Sequence, residues 1–361
     1  MIRPGVPAPN LAPRMGTEVV RERGGVVYHE LRSRCLVNRC SSPRMPFRWT
    51  VNPYRGCAMG CRYCYAAYTH EFMGIATPES FHSVIYVKTG GEVETARQLR
   101  SIVKSGELVA LGTATDPYQP GESEYNVTRR FLEQVAVHRD VRLSITTKGA
   151  LVLRDLDLLR RINERSSVGV NVSLISLRED LLRRLEPWAP PPEVRLEVMR
   201  RLQEAGIEVS LSVAPILPAL TDAESDLDAL LERAAAARVR HMFWNILFLR
   251  SPTREKYLRW LADEFPRYHE AYSRAYDGRV YLKGSYPARL RATMERLRAK
   301  HGFGARESAD NESARLASAR QLELWSGEPE PSPDGATFDA RSGPSRGESI
   351  RAEGLRTRRR R

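Results

Sequence analysis

The sequence is poor in cysteine, with five in 361 residues. An odd, small number excludes the paired framework of a small secreted domain and points to a reducing compartment, the cytoplasm, where thiols bind metal or do chemistry. No stretch reaches the roughly eighteen consecutive apolar residues of a membrane-spanning helix. The opening residues, MIRPGVPAPNLAPRMG, hold no apolar run of the secretory type. Acidic residues are also short, at 44 against 57 Lys and Arg, which leaves a net charge of +13. Residues 1–50 alone carry nine Arg against three Glu, and the last 59 residues are nearly balanced. Such an excess favours a polyanionic partner, nucleic acid first, although an arginine-rich genome accounts for the same balance.

The chain divides into three regions by composition. Residues 1–45 are rich in Pro and Arg with weak periodicity, and read as a basic extended arm. Residues 46–302 form the core. From 303 to 361 the sequence turns to Pro, Gly and Ser (GEPEPSPDGATFDARSGPSRGES) and reads as a disordered tail ending in RTRRRR. Within the core, apolar runs alternate with helical stretches. FRWTV and SVIYVK are short strands, followed by ELVALGTAT, RLSITTKG, SVGVNVSLISL, IEVSLSVAPILP and HMFWNILFL. NVTRRFLEQVAVHR reads as a helix with Asn126 as its N-cap. PPEVRLEVMRRLQEAG reads as a helix with Pro at its start and Gly at its end. The βα repetition implies a parallel sheet covered by helices. Six main strands fall short of the eight of a closed barrel, so the expected fold is α/β, a partial (β/α)6 barrel. Its reactive groups belong at the C-terminal strand ends, where Cys57, Asp116, Lys148, Ser173 and Pro215 would meet.

Three of the five cysteines, Cys57, Cys61 and Cys64, lie within eight residues in NPYRGCAMGCRYCYAAYTH. Thiolates select zinc, copper(I) or iron–sulfur clusters. A structural zinc site closes with four ligands, and His70 could be the fourth. A [4Fe–4S] cluster held by three thiolates instead leaves one iron open to a small molecule.

C-x3-C-x-aromatic-C at the head of a βα chain resembles the radical S-adenosylmethionine (SAM) superfamily, in the branch of spore photoproduct lyase. LGTATDPYQPGE, SITTKG, VNVSLISL and VAPILPALTD follow in the same order, so the resemblance covers roughly Pro46 to Arg250. It implies a [4Fe–4S] cluster on Cys57, Cys61 and Cys64, with SAM on the open iron. Reductive cleavage of SAM would then give a 5′-deoxyadenosyl radical that abstracts hydrogen from substrate. It further implies Tyr63 beside the cluster or adenine, Thr115 and Asp116 as acceptors for the SAM ammonium, and Lys148 and Ser173 as donors to its carboxylate. The APILPAL segment would line the adenine. Taken as residues alone, Tyr63 is an ordinary loop aromatic and Asp116 a turn-initiating Asp before Pro. An electron donor such as a flavodoxin or ferredoxin is implied, because there is no second cluster motif. The branch's hydrogen-donating cysteine would fall near Thr113, and no cysteine lies beyond Cys64. That departure removes spore photoproduct lyase activity itself from the expectation and leaves the substrate open. A non-catalytic, zinc-stabilised nucleic-acid-binding protein is the alternative.

Two features lie outside this pattern. Cys35 and Cys40, in CLVNRC, could bind a second metal or act as a redox pair, and read otherwise as incidental thiols. QLELW, Gln321 to Trp325, is similar to peptides that dock on the DNA polymerase sliding clamp; a five-residue match also arises by chance.

Overall fold

The computed structural model describes residues 19–23, 25–42, 45–73 and 80–304. Apart from Phe303 and Gly304, the tail with its QLELW segment lies outside the described residues, as do the first eighteen. Among the described residues there are eleven strands: β1 (Val19–Arg23), β2 (Val26–Arg32), β3 (Val37–Arg39), β4 (Trp49–Val51), β5 (Tyr54–Arg55), β6 (Val84–Thr89), β7 (Leu108–Leu111), β8 (Arg142–Thr147), β9 (Ser167–Ser173), β10 (Glu208–Ile216) and β11 (His241–Ile246).

The larger sheet has the order β11-β10-β9-β8-β7-β4-β3. Six of its strands, β4 and β7 to β11, are mutually parallel, and β3 closes one edge antiparallel to β4. This is the partial six-stranded parallel barrel that the βα repetition implied. One face is apolar: Leu143, Ile145, Val170, Val172, Val209, Leu211 and Val213 are buried. Helices 156–163 and 192–204 pack on the sheet. The other face carries small polar groups in register. Ser144 aligns with Gly169, Asn171 with Ser210, and Ser173 with Ser212. The Asn171 amide bridges to the Ser144 hydroxyl at 2.9 Å. The alternation RLSITT, VGVNVS, EVSLSV therefore has a physical meaning. A parallel sheet covered by apolar groups on both sides would read as continuous Val, Ile and Leu. Here one face is built to line a polar concavity.

The remaining strands form a second sheet, β1-β2-β6-β5. SVIYVK is a strand, as its apolar run implies, but it leaves the barrel. It pairs parallel to β2 and antiparallel to β5. Residues 19–32, read from sequence as an extended arm, instead form the β1–β2 hairpin of this sheet. The reason is alternation: Tyr28 is buried on the body side next to Gly121, and its neighbours Val27 and His29 point away.

Asn126 also departs from expectation. It precedes helix 127–135 in a left-handed conformation, φ 53°, and its side chain makes no cap. The first-turn backbone amides of Thr128 and Arg129 instead donate to the Glu122 carboxylate, at 3.0 and 3.2 Å. That carboxylate is fully buried, and also accepts from the Tyr54 hydroxyl and, at 2.8 Å, from Arg154. Glu122 thus caps a helix, ties the small sheet to the barrel and pairs with the half-buried Arg154 guanidinium. Glu122→Ala is expected to cost about 3 kcal/mol, because it strands several buried donors at once. Urea unfolding should show this as a lower midpoint at unchanged m-value.

Candidate active site at the cysteine loop

The cysteine loop leaves β5 and runs from Gly56 to Cys64 into a 3-10 helix at Tyr65–Met73. Gly56 and Gly60 both have positive φ, at 83° and 73°. A Cβ on Gly56 would lie 2.7 Å from the Val84 carbonyl, and one on Gly60 would strike the Trp188 ring. Only glycine satisfies both requirements.

The loop backbone is gripped from several directions. The Thr115 hydroxyl donates to the Gly56 carbonyl at 2.6 Å. Gln119, fully buried, accepts from the Ala58 amide at 2.8 Å and donates to Thr115 Oγ1 at 3.0 Å. The Cys57 amide donates to the Phe81 carbonyl at 2.9 Å, and the Arg62 amide to that of Leu185 at 2.9 Å. Thr253 donates to the Cys64 carbonyl at 2.7 Å.

These bonds pack three thiols into an apolar surround. Burial pushes all three up, Cys61 to about 12; Asp116, Cys61 and Cys64 add to the rise at Cys57, and Glu186 and Cys64 to that at Cys61. Free thiols here keep their protons. A strongly positive centre is what would draw three thiolates to one place, so the donor set suits a soft-metal cluster. The zinc alternative would need His70 as its fourth ligand. Among the described residues no three His, Cys, Asp or Glu side chains converge to hold a single metal ion. His70, the fourth ligand of that reading, bonds the Val84 carbonyl through Nε2 at 3.0 Å and lies edge-on to Phe81.

Asp116 holds strand ends together. One carboxylate oxygen accepts from the Tyr118 amide (2.9 Å) and the Thr147 hydroxyl (2.6 Å), and the other from the Lys148 amide (2.7 Å). Burial raises its pKa against these bonds. Thr115 is likewise engaged, on the Gly56 carbonyl. In this geometry both expected SAM-ammonium acceptors already have protein partners.

Tyr63, Lys148 and Ser173 gather around a pair of residues that sequence reading missed. Glu186 and Arg195 form an ion pair with side chains 0% and 1% exposed. The Tyr63 hydroxyl donates to Glu186, and Lys148 Nζ lies 4.0 Å from the same carboxylate and 5.8 Å from the Tyr63 ring centre. Arg195 also donates to the Ser173 carbonyl at 3.0 Å. Burial opposes ionisation of Glu186, but Arg195 and Lys148 outweigh it and hold the carboxyl low. Burial likewise opposes the Lys148 cation, which Cys61, when ionised to a thiolate, and the Glu186 carboxylate hold high. One signal was available: Arg195 stands in the stripe Arg195, Val198, Met199, Leu202, where helical spacing calls for an apolar residue.

Thr113 caps the β7 end, accepting from Asn52 Nδ2 at 3.0 Å through its hydroxyl and from the Tyr65 hydroxyl through its carbonyl. At the end of β10, Ala214 and Pro215 are half-buried. Cys35 and Cys40 are half-buried free thiols, and Thr95 Oγ1 lies 3.6 Å from Cys35 Sγ.

A parallel half-barrel with three cysteines on the loop after its first strand defines a class. Residues 51–233 match the radical SAM superfamily, and the chain belongs to it. An uncharacterized protein of Mycobacterium tuberculosis is 37% identical over 278 residues, spanning 77% of this chain and 82% of that protein. An uncharacterized protein of Acidianus two-tailed virus is 31% identical over 217 residues, 57% of this chain and 69% of that one. Among solved structures, a spore photoproduct lyase with bound AdoMet and dinucleoside spore photoproduct aligns with TM-score 0.55 at 16% identity, covering 73% of this chain and 76% of that one. A second spore photoproduct lyase variant aligns with TM-score 0.57 at 17% identity, over 77% and 80%. The fold is therefore that of the spore photoproduct lyase branch, and the chain is a radical SAM enzyme. The family implies a [4Fe–4S] cluster and SAM.

Glu186→Gln would leave Arg195 and Lys148 buried without an anion. It is expected to cost about 3 kcal/mol in chemical unfolding. Adding Arg195→Met should recover part of that loss, which a merely steric defect at residue 186 would not allow.

Proposed function

We propose that this chain cleaves SAM reductively and directs the resulting radical to a nucleic-acid substrate, in a reducing compartment and with an electron donor of the flavodoxin or ferredoxin type. The carrying observation is that Cys57, Cys61 and Cys64 stand on one loop whose backbone Thr115, Gln119 and Thr253 hold, in a chain that belongs to the radical SAM superfamily. When bound, the cluster and SAM supply homolysis of a sulfonium C–S bond and a 5′-deoxyadenosyl radical. The protein's part is to hold and orient. Cys57, Cys61 and Cys64 are the cluster ligands in this reading. Thr115 and Gln119 fix the loop that presents them. Lys148, kept cationic by Glu186, is positioned as a donor toward the SAM carboxylate, and Tyr63 packs beside it. Ser144, Asn171, Ser173, Ser210 and Ser212 offer neutral donors and acceptors across the concavity.

Three observations support nucleic acid as substrate. The chain is strongly basic. The fold neighbour cited above holds a dinucleoside. Next to Cys64, the rings of Tyr65, Phe248 and Tyr281 run 5.7 and 5.8 Å apart, with Tyr65 46% and Tyr281 42% exposed. Exposed aromatics beside a reactive centre suit a planar base.

The test is anaerobic reconstitution with iron and sulfide, followed by dithionite and SAM. A brown protein releasing 5′-deoxyadenosine is expected, with both colour and product lost in Cys61→Ala. A colourless protein that retains zinc and leaves SAM intact would overturn the reading. For the substrate, Phe248→Ala should weaken binding of a single-stranded oligonucleotide roughly tenfold while leaving substrate-free SAM cleavage unchanged.

A further inference from the structure

The small sheet carries a second cluster that the reaction does not use. Its inner face, with Tyr28, Ile85, Val87 and Tyr54, packs on the barrel. Its outer face holds one row across three strands: Arg55 on β5 faces Tyr86 on β6, and Tyr86 faces His29 on β2. Lys88 stands on the same face, one pair further along, opposite Leu31. The His29 ring stacks on Tyr86 with centroids 5.3 Å apart, and His70 meets the other side of Tyr86 edge-on at 6.1 Å.

This is a concentration of nitrogen groups that no carboxylate among the described residues balances. Lys88 is only 8% exposed and pairs with no described carboxylate. Its charged neighbours are Arg55, which repels it, and the Cys35 thiol; burial and Arg55 together pull its ammonium down to about 8. Arg55, half-buried, likewise has no ion pair among the described residues. His29 Nδ1 and His70 Nδ1 are buried without hydrogen-bond partners. The two carboxylates of the neighbouring strands do not answer them. Glu30 is on the opposite face, held by Thr89 at 2.6 Å, and Glu22 is exposed. Buried charge without a partner is costly, and is retained in proteins where something binds it.

We propose that Arg55, Lys88 and His29, with His70 packed against the same Tyr86 ring, form a binding site for a phosphate group. A guanidinium, an ammonium and an imidazole on one sheet face match the several acceptor oxygens of phosphate. The site lies on the outer sheet rather than in the barrel concavity, and it stands whether or not the substrate proposal holds. It is also joined to the cysteine loop at both ends: Arg55 is two residues before Cys57, and His70 lies in the 3-10 helix that follows Cys64. A bound phosphate would brace the small sheet against that loop.

Thermal unfolding of the full chain in inorganic phosphate, against sodium chloride at equal ionic strength, tests the site. The wild type is expected to gain a saturable rise in Tm that chloride does not produce. Lys88→Met should lose this response, and in chloride it should melt no lower than the wild type, because the change removes an unpaired buried charge. His29→Phe keeps the ring stack and should weaken the phosphate response, which provides the answer if Lys88→Met fails to fold. Equal behaviour in phosphate and chloride, or an unaltered phosphate response in both variants, would overturn the site. Fluorescence anisotropy with an oligonucleotide distinguishes the sources of the phosphate. Roughly tenfold weaker binding in Lys88→Met identifies a nucleic-acid phosphodiester. Unchanged oligonucleotide binding with loss of the inorganic phosphate response identifies a free phosphate or phosphomonoester.

Discussion

The Gly56 carbonyl accepts from Thr115 and Gln119, and the Ala58 amide donates back to Gln119. This short exchange fixes the first cysteine of the loop against the end of β7. The rest of the centre builds outward from it. Asp116, next to Thr115, carries the connection on to Thr147 and Lys148 at the end of β8. A loop of nine residues would otherwise be free to spread three thiols widely, at an entropic cost that their own contacts could not meet. Holding the backbone, not the side chains, leaves the sulfurs available for ligation.

The same economy governs charge. Glu186 is buried with Arg195, Lys148 and the Tyr63 hydroxyl, and an ion pair so deep gains little net stability over apolar packing. What it supplies is position. Arg195 reaches from helix 192–204 to the Ser173 carbonyl at the end of β9, and Glu186 fixes Tyr63 and Lys148 beside Cys61. The ends of β8 and β9 and the cysteine loop thereby share one electrostatic centre. Because its members constrain one another, the cation at Lys148 is preserved despite burial.

Much of this was legible in sequence. The Cys57, Cys61 and Cys64 spacing identified the family, and the βα repetition identified a six-stranded parallel sheet. Val84–Thr89 shows the limit: an apolar run predicts a strand but carries no record of which sheet it joins. Asn126 shows another, since a good capping residue was replaced by Glu122 from the preceding helix, whose buried carboxylate satisfies two amides at once. Glu186 was hidden because its partners are Arg195 on a later helix and Tyr63 over a hundred residues earlier. Asp116 was read as an acceptor for the SAM ammonium or as a turn-initiating Asp; its protein donors, Tyr118 in the same turn and Thr147 and Lys148 at the end of the next strand, could not be anticipated from TDP alone.

The alternation of the barrel strands ties these observations together. Ser144, Asn171, Ser173, Ser210 and Ser212 interrupt what would otherwise be continuous apolar strands, at a cost in buried polar groups that Asn171 only partly offsets through Ser144 and the Ile145 carbonyl. Neutral hydroxyls and amides are weak nucleophiles and poor bases, and they add no charge to the concavity. Charge is confined to its rim, on Lys148, Glu186 and Asp116, where each group is fixed by a partner. A radical centre would be served by such a floor: groups that orient a substrate by hydrogen bonding, beside the loop that carries Cys57, Cys61 and Cys64. Lys88 and Arg55, positive groups with no ion pair among the described residues, lie outside that space on the other sheet, so an anion drawn to them would not enter the concavity itself.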